Sequence, residues 1–214
     1  HVLGNMWAQS WANVYDLVDQ EDSTGQPIDL TKVIIDRGLT EVEMVEIAED
    51  FFLSLGFEPL EDTFWERSLF VKPVDRNVVC HASAWDINPK TQDLRIKMCI
   101  QKNAEDFVTI HHELGHIFYY QAYAHLPSVF QSGANDGFHE AVGDLLSLSI
   151  TPNYLEKIGF VSKEEADSAK ENSIAFLMKQ ALDGVVPTPW TLMLDKWRMA
   201  CLLYTSPSPR DTRS

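Results

Sequence analysis

The sequence contains no run of about 18 apolar residues, so nothing in it reads as a membrane span. Basic charge is scarce: 17 Lys and Arg stand against 32 Asp and Glu, a net charge of −15. That balance excludes the basic footprint that nucleic-acid binding needs. There is no internal repeat and no opening signal peptide. A helix-like pattern (Trp7, Trp11, Tyr15) starts almost at once, and the chain reads as beginning inside a longer protein, so a missing signal or anchor excludes nothing. Cysteine is rare too, at Cys80, Cys99 and Cys201. The first two fall on neighbouring strand-like runs, which suits a disulfide in an oxidising compartment, with two buried thiols as the lesser alternative.

What is present suits a globular domain: 214 residues, 45% apolar and 11% aromatic. Residues 1–18 read as an aromatic-rich helix and 20–30 as a polar connection. A helix is expected over 41–55. Thr40 and Glu43 form a capping box, Val45, Ala48, Phe51, Phe52 and Leu55 a stripe, and Gly56 the stop. Residues 77–82 and 94–100 read as strands joined by a turn at Asn88–Gln92. Helices are expected near 104–120, 137–150, 163–182 and 188–200. The pattern predicts a mostly α fold with one small β hairpin. The Pro/Ser-rich stretch 204–214 has no apolar period and reads as a disordered or foreign tail, leaving 1–203 as the domain.

The chemistry concentrates in His112-Glu-Leu-Gly-His116. Histidines at i and i+4 share one helix face and can reach one ion, with Glu113 between them. A catalytic zinc keeps a position for water and lowers its pKa toward ~7, and the glutamate accepts the proton. Phe107, Ile110, Leu114 and Phe118 make a separate packing stripe, so the metal face (Thr109, His112, Glu113, His116) is distinct from the core face. The third donor is expected from a second helix, Gly137–Asp144. There Glu140, Gly143, Asp144 and Ser147 form a polar stripe within an apolar run. Glu140 fits the ligand, and Asp144, one turn on, fits a partner for a ligand histidine's free N–H. His111, His125 and His139 suit supporting, capping or surface roles better than ligation. His139 cannot share the face of Glu140, since adjacent helical residues diverge. The run Val78–Trp85 could line the cleft and bind an extended peptide through its main chain, with His81 toward a peptide carbonyl. Spacing alone favours an ordinary hairpin strand.

Long stretches resemble the angiotensin-converting enzymes. They include Leu3-Gly-Asn-Met-Trp-Ala-Gln-Ser-Trp11, Phe51-Phe-Leu-Ser-Leu-Gly56, Cys80-His-Ala-Ser-Ala-Trp-Asp86, the His112–His116 motif, Gly133–Asp144 and Phe176–Leu182. The likeness runs from His1 to about Arg198. It implies a larger, mostly helical zinc-peptidase (gluzincin-type) domain of two halves, of which this chain is an internal part. It implies a secreted or membrane-anchored peptidyl-dipeptidase that releases C-terminal dipeptides from oligopeptides. Zn2+ would be held by His112, His116 and Glu140, with Glu113 as general base and a Cys80–Cys99 disulfide. The resemblance further implies that His81, Ala82 and Ala84 contact the substrate backbone, and that Glu105 and Thr109 line a side-chain pocket. Gln9 matches a residue that helps hold the substrate's terminal carboxylate. A carboxypeptidase-type relative carries arginine there and reads His-Pro-Thr-Ala-Trp on its strand, so Gln9 and His81-Ala-Ser-Ala-Trp85 point to dipeptide release. A later segment of the family domain supplies oxyanion and carboxylate donors and a chloride-binding arginine. Chloride is therefore a second candidate ion for the full-length enzyme, and the piece alone is expected to bind zinc poorly or to be inactive. Alternatives are a thimet-type oligopeptidase, which as a cytosolic enzyme has no reason to keep a disulfide, and a non-catalytic binding homologue, against which the intact ligand set argues.

Overall fold

The computed structural model describes residues 28–135, 137–171, 177–178, 181–182, 184–185 and 187–203. Residues 28–166 form one compact unit and the described parts of 167–203 belong to a second. Gln9 and the expected helix over 1–18 lie outside the described residues, as does the 204–214 tail.

The first unit is organised around α4, Ala104–Tyr123. Asn103 caps it by accepting from the backbone N–H of Asp106 at 2.7 Å, and Glu105 and Asp106 place negative charge at its N-terminus. Its 20 residues span roughly 30 Å, enough to cross the whole core. The expected stripe is the buried face: Phe107, Ile110 and Leu114 are fully buried and Phe118 nearly so. Each such side chain contributes about 1.5–3 kcal/mol on burial.

Helix α1 (Leu30–Asp36) and α2 (Glu41–Ser54) pack against α4. The Thr40–Glu43 capping box is present in both directions, and Gly56 ends the segment at φ 95°. Met44, Val45, Ala48 and Phe52 form the buried face of α2, and Phe52 stacks on Phe118 with centroids 4.4 Å apart. Leu55 is exposed rather than part of the stripe, because the helix has ended at Ser54. Three short helices stand where periodicity predicts none: α1, α3 (Asp62–Arg67) and α6 (Pro152–Lys157). The first and last carry start signals, since Asp29 and Thr151 cap them and Pro152 sits at the first turn. The polar connection expected to run to residue 30 therefore ends at Asp29.

The hairpin is shifted along the chain from its expected place. Strands β1 (Ser83–Asn88) and β2 (Asp93–Lys97) pair antiparallel, Ser83 opposite Lys97. Residues 77–82 carry no strand. Residues 98–100 pair elsewhere: the N–H groups of Met98 and Ile100 donate to the carbonyls of Leu69 and Phe70, and Leu69 N–H donates to Ile96. The far edge of β2 is thus occupied by the segment after α3. Leu94, Ile96, Met98 and Ile100 are all buried, as their alternation predicts. Beyond the paired region, Cys80 and Cys99 are joined by a disulfide, Cα atoms 5.1 Å apart.

Helix α5 (Phe138–Ser147) crosses α4, and α7 covers Lys163–Glu171. In the second unit a helix runs from Pro187 to Leu203, through the 188–200 expected. Among the described residues the architecture is mostly α with one two-stranded sheet. Among the described residues no helix is long and apolar enough to cross a membrane.

Candidate metal centre

Two helices build the site, and two glycines let them meet. A Cβ on Gly115 would lie 2.8 Å from the Cα of Gly143. A Cβ on Gly143 would lie 2.9 Å from His112 Nδ1 and 3.0 Å from the His112 carbonyl oxygen. Side chains do not pack at such distances, so the crossing needs glycine on each helix.

At this crossing His112, His116 and Glu140 converge, each offering one donor atom, with all three atoms within 4.8 Å of one another. His112 Nε2 is 3.1 Å from His116 Nε2 and 3.2 Å from a Glu140 oxygen, and His116 Nε2 is 3.7 Å from the other Glu140 oxygen. Asp144 Oδ1 lies 3.0 Å from His112 Nδ1. That bond takes the Nδ1 proton and leaves Nε2 with its lone pair toward the cluster. Two imidazole lone pairs and a carboxylate facing one point are mutually repulsive without a cation, and two nitrogens with one oxygen form a donor set that zinc accepts. The residues fit a zinc ion.

Glu113 is buried, and its Oε2 has no hydrogen-bond partner. Burial pushes its carboxyl pKa up; His112 and His81 oppose this, and the negative charge of Glu140 adds to it. A carboxylate that holds protons more tightly than usual, with one oxygen unclaimed, is suited to accept a proton from a reacting group. Burial also lowers the pKa of His116, favouring the neutral ring that can donate a lone pair.

A cleft of about 920 Å³ opens onto this cluster. Of the residues expected to contact substrate, His81, Ala82, Glu105 and Thr109 line it beside His112, Glu113 and Asp144. Ala84 is not among the lining residues and packs partly buried against the core. His81 holds its ring by an Nδ1 contact of 2.7 Å to the Ala82 carbonyl oxygen. The disulfide forms one wall, since Cys80 and Cys99 also line the cleft. Of the three less informative histidines, His125 is exposed and His111 wholly buried. His139 touches His116, a contact that sequence spacing could not disclose because it is made across the helix crossing.

A two-histidine, one-glutamate donor set beside a buried glutamate on a helical fold is the arrangement expected of a metallopeptidase. The family model described as angiotensin-converting enzyme matches residues 1–207. The chain belongs to the angiotensin-converting enzyme family. It is similar to the angiotensin-converting enzyme of Bos taurus, with 49% identity over 201 residues that cover 92% of this chain and 15% of the relative. Against the enzyme of Haematobia irritans exigua it is 44% identical, covering 94% of this chain and 32% of the relative. Against that of Theromyzon tessulatum it is 40% identical, covering 98% and 34%. The chain therefore spans between about a seventh and a third of the length of these relatives.

Proposed function

We propose that this chain carries the zinc centre of a peptidyl-dipeptidase that removes C-terminal dipeptides from oligopeptides in an oxidising, extracellular setting. The observation that carries the reading is the convergence of His112, His116 and Glu140 next to a buried, unpartnered Glu113 oxygen. A zinc ion bound there would supply Lewis-acid polarisation of the peptide carbonyl and acidification of water. Glu113 takes the proton from the attacking water and delivers it to the departing nitrogen. Asp144 keeps His112 in the tautomer that donates through Nε2. His81 and Ala82 border the cleft where an extended substrate would lie, while Glu105 and Thr109 offer polar walls for a side chain. Gln9 supports release of two residues rather than one, because a neutral amide there leaves room that an arginine clamp on the carboxylate would take. Of the whole enzyme's other ions, chloride belongs to this proposal only through the family likeness. The disulfide supports the extracellular setting.

The test uses the full-length protein, blocked oligopeptides, metal analysis and mass spectrometry. Glu113→Gln is expected to retain zinc and lose about 10²–10⁴-fold in turnover. Glu140→Gln is expected to lose zinc. Full zinc in the Glu140 variant, with hydrolysis intact, would overturn the assignment.

A further inference from the structure

His116 and His112 are supported differently. The Nδ1 of His112 meets a carboxylate, Asp144, on α5. The Nδ1 of His116 meets a second imidazole: His139 Nδ1 lies 3.3 Å away. Two facing ring nitrogens make a hydrogen bond only when one carries a proton and the other does not. The other nitrogen of His139, Nε2, is 3.0 Å from the Tyr123 hydroxyl. The ring is also held by packing, its centroid 4.5 Å from that of Tyr119 and 4.7 Å from that of Tyr120.

We infer that His139 is a positioning residue for the metal centre: it accepts the Nδ1 proton of His116, fixes that ring in the tautomer whose Nε2 is free, and is itself oriented by Tyr123. The inference rests on the reading of His112, His116 and Glu140 as metal donors. If His116 donates through Nε2, its proton is on Nδ1 and His139 Nδ1 must be the acceptor. His139 then carries its own proton on Nε2 and donates it to the Tyr123 oxygen. One direction of hydrogen bonding runs from His116 through His139 to Tyr123.

The experiment measures zinc affinity of the full chain by competition with a chromophoric chelator. His139→Phe keeps ring bulk and removes the acceptor; His139→Asn puts an amide oxygen near the place of Nδ1; Tyr123→Phe removes only the hydroxyl. Loss of an outer partner of a metal-bound histidine costs roughly 10–100-fold in affinity, and that loss is expected for His139→Phe. His139→Asn is expected to recover most of it, and Tyr123→Phe to show a smaller loss in the same direction. Wild-type affinity in a folded His139→Phe overturns the inference, and so does an Asn variant as weak as the Phe variant, which would make the role one of packing. Should His139→Phe not fold, Tyr123→Phe decides, and unchanged affinity there overturns it. His116→Ala is the control for the underlying reading: full zinc in that variant means the metal assignment is wrong, and the inference falls with it.

Discussion

Gly115 and Gly143 face each other across the crossing of α4 and α5, so close that a methyl group on the first would stand 2.8 Å from the Cα of the second. Replacing a mid-helix glycine by alanine normally stabilises by roughly 0.5–1 kcal/mol. Here the sign reverses. Gly143→Ala is expected to destabilise by about 1–3 kcal/mol through overpacking, and to weaken zinc binding because the new methyl meets the His112 ring. Gly184, a helical glycine where an added methyl would meet nothing within 4 Å among the described residues, is the control, and Gly184→Ala should be neutral or stabilising. Thermal melts and metal titration of both variants check this; a stabilised Gly143→Ala protein with normal zinc content would refute it.

His111 predicts an acid sensitivity. It is wholly buried, with its Nδ1 donating to the Phe107 carbonyl at 2.8 Å and its Nε2 3.3 Å from the Tyr154 hydroxyl. Burial pushes its pKa from 6.5 down to about 4. The unfolded chain therefore binds a proton that the folded one refuses. Stability contributed by the neutral ring is fully present above the unfolded value and is lost as pH falls from 6.5 toward about 4, to a total of about 3 kcal/mol. Urea unfolding at pH 7 and pH 4.5 should show a smaller difference for His111→Gln than for the wild type. Equal differences would remove the histidine from the account.

The Cys80–Cys99 disulfide joins positions 19 residues apart, a loop that the chain-entropy argument values at about 3 kcal/mol. Peptide mapping without reductant should yield the linked pair, with Cys201 free and exposed. Reduction, or the Cys80→Ala/Cys99→Ala pair of changes, should lower unfolding stability by an amount of that order. It should also raise the Michaelis constant of the full-length enzyme, because both residues wall the cleft. Two free thiols in secreted material would contradict the bond.

Gln9→Arg tests how many residues are removed. A fixed cation near the terminal carboxylate of the substrate would hold it one residue closer. The variant of the full-length enzyme is expected to release dipeptides more slowly, as mass analysis of a blocked decapeptide digest would reveal. Undiminished dipeptide release would detach Gln9 from specificity.

Much of the first unit is readable from spacing alone. The stripe from Phe107 to Phe118, the Thr40–Glu43 box and the placing of Glu140 on a second helix depend on periods of one helix, which a sequence carries directly. The strand expected at 77–82 is not formed, because alternation says which residues can pair, not which backbone will be available. Lys97 is the last residue of β2, and the next donors, Met98 and Ile100, go to Leu69 and Phe70 instead. Short helices such as Asp62–Arg67 hold too few turns for a period to emerge. The role of His139 is hidden for a different reason. Adjacent positions on a helix diverge, so its neighbour Glu140 gives no hint that both reach one ring.

That shared ring has a mechanical consequence. His139 approaches His116 at Nδ1 and Glu140 approaches it at Nε2, although the two are consecutive in the chain. The imidazole is gripped on opposite edges by one short stretch of α5. Any displacement of α5 that carries both residues the same way along this ring advances one contact while withdrawing the other, so the ring and the helix hold each other in register.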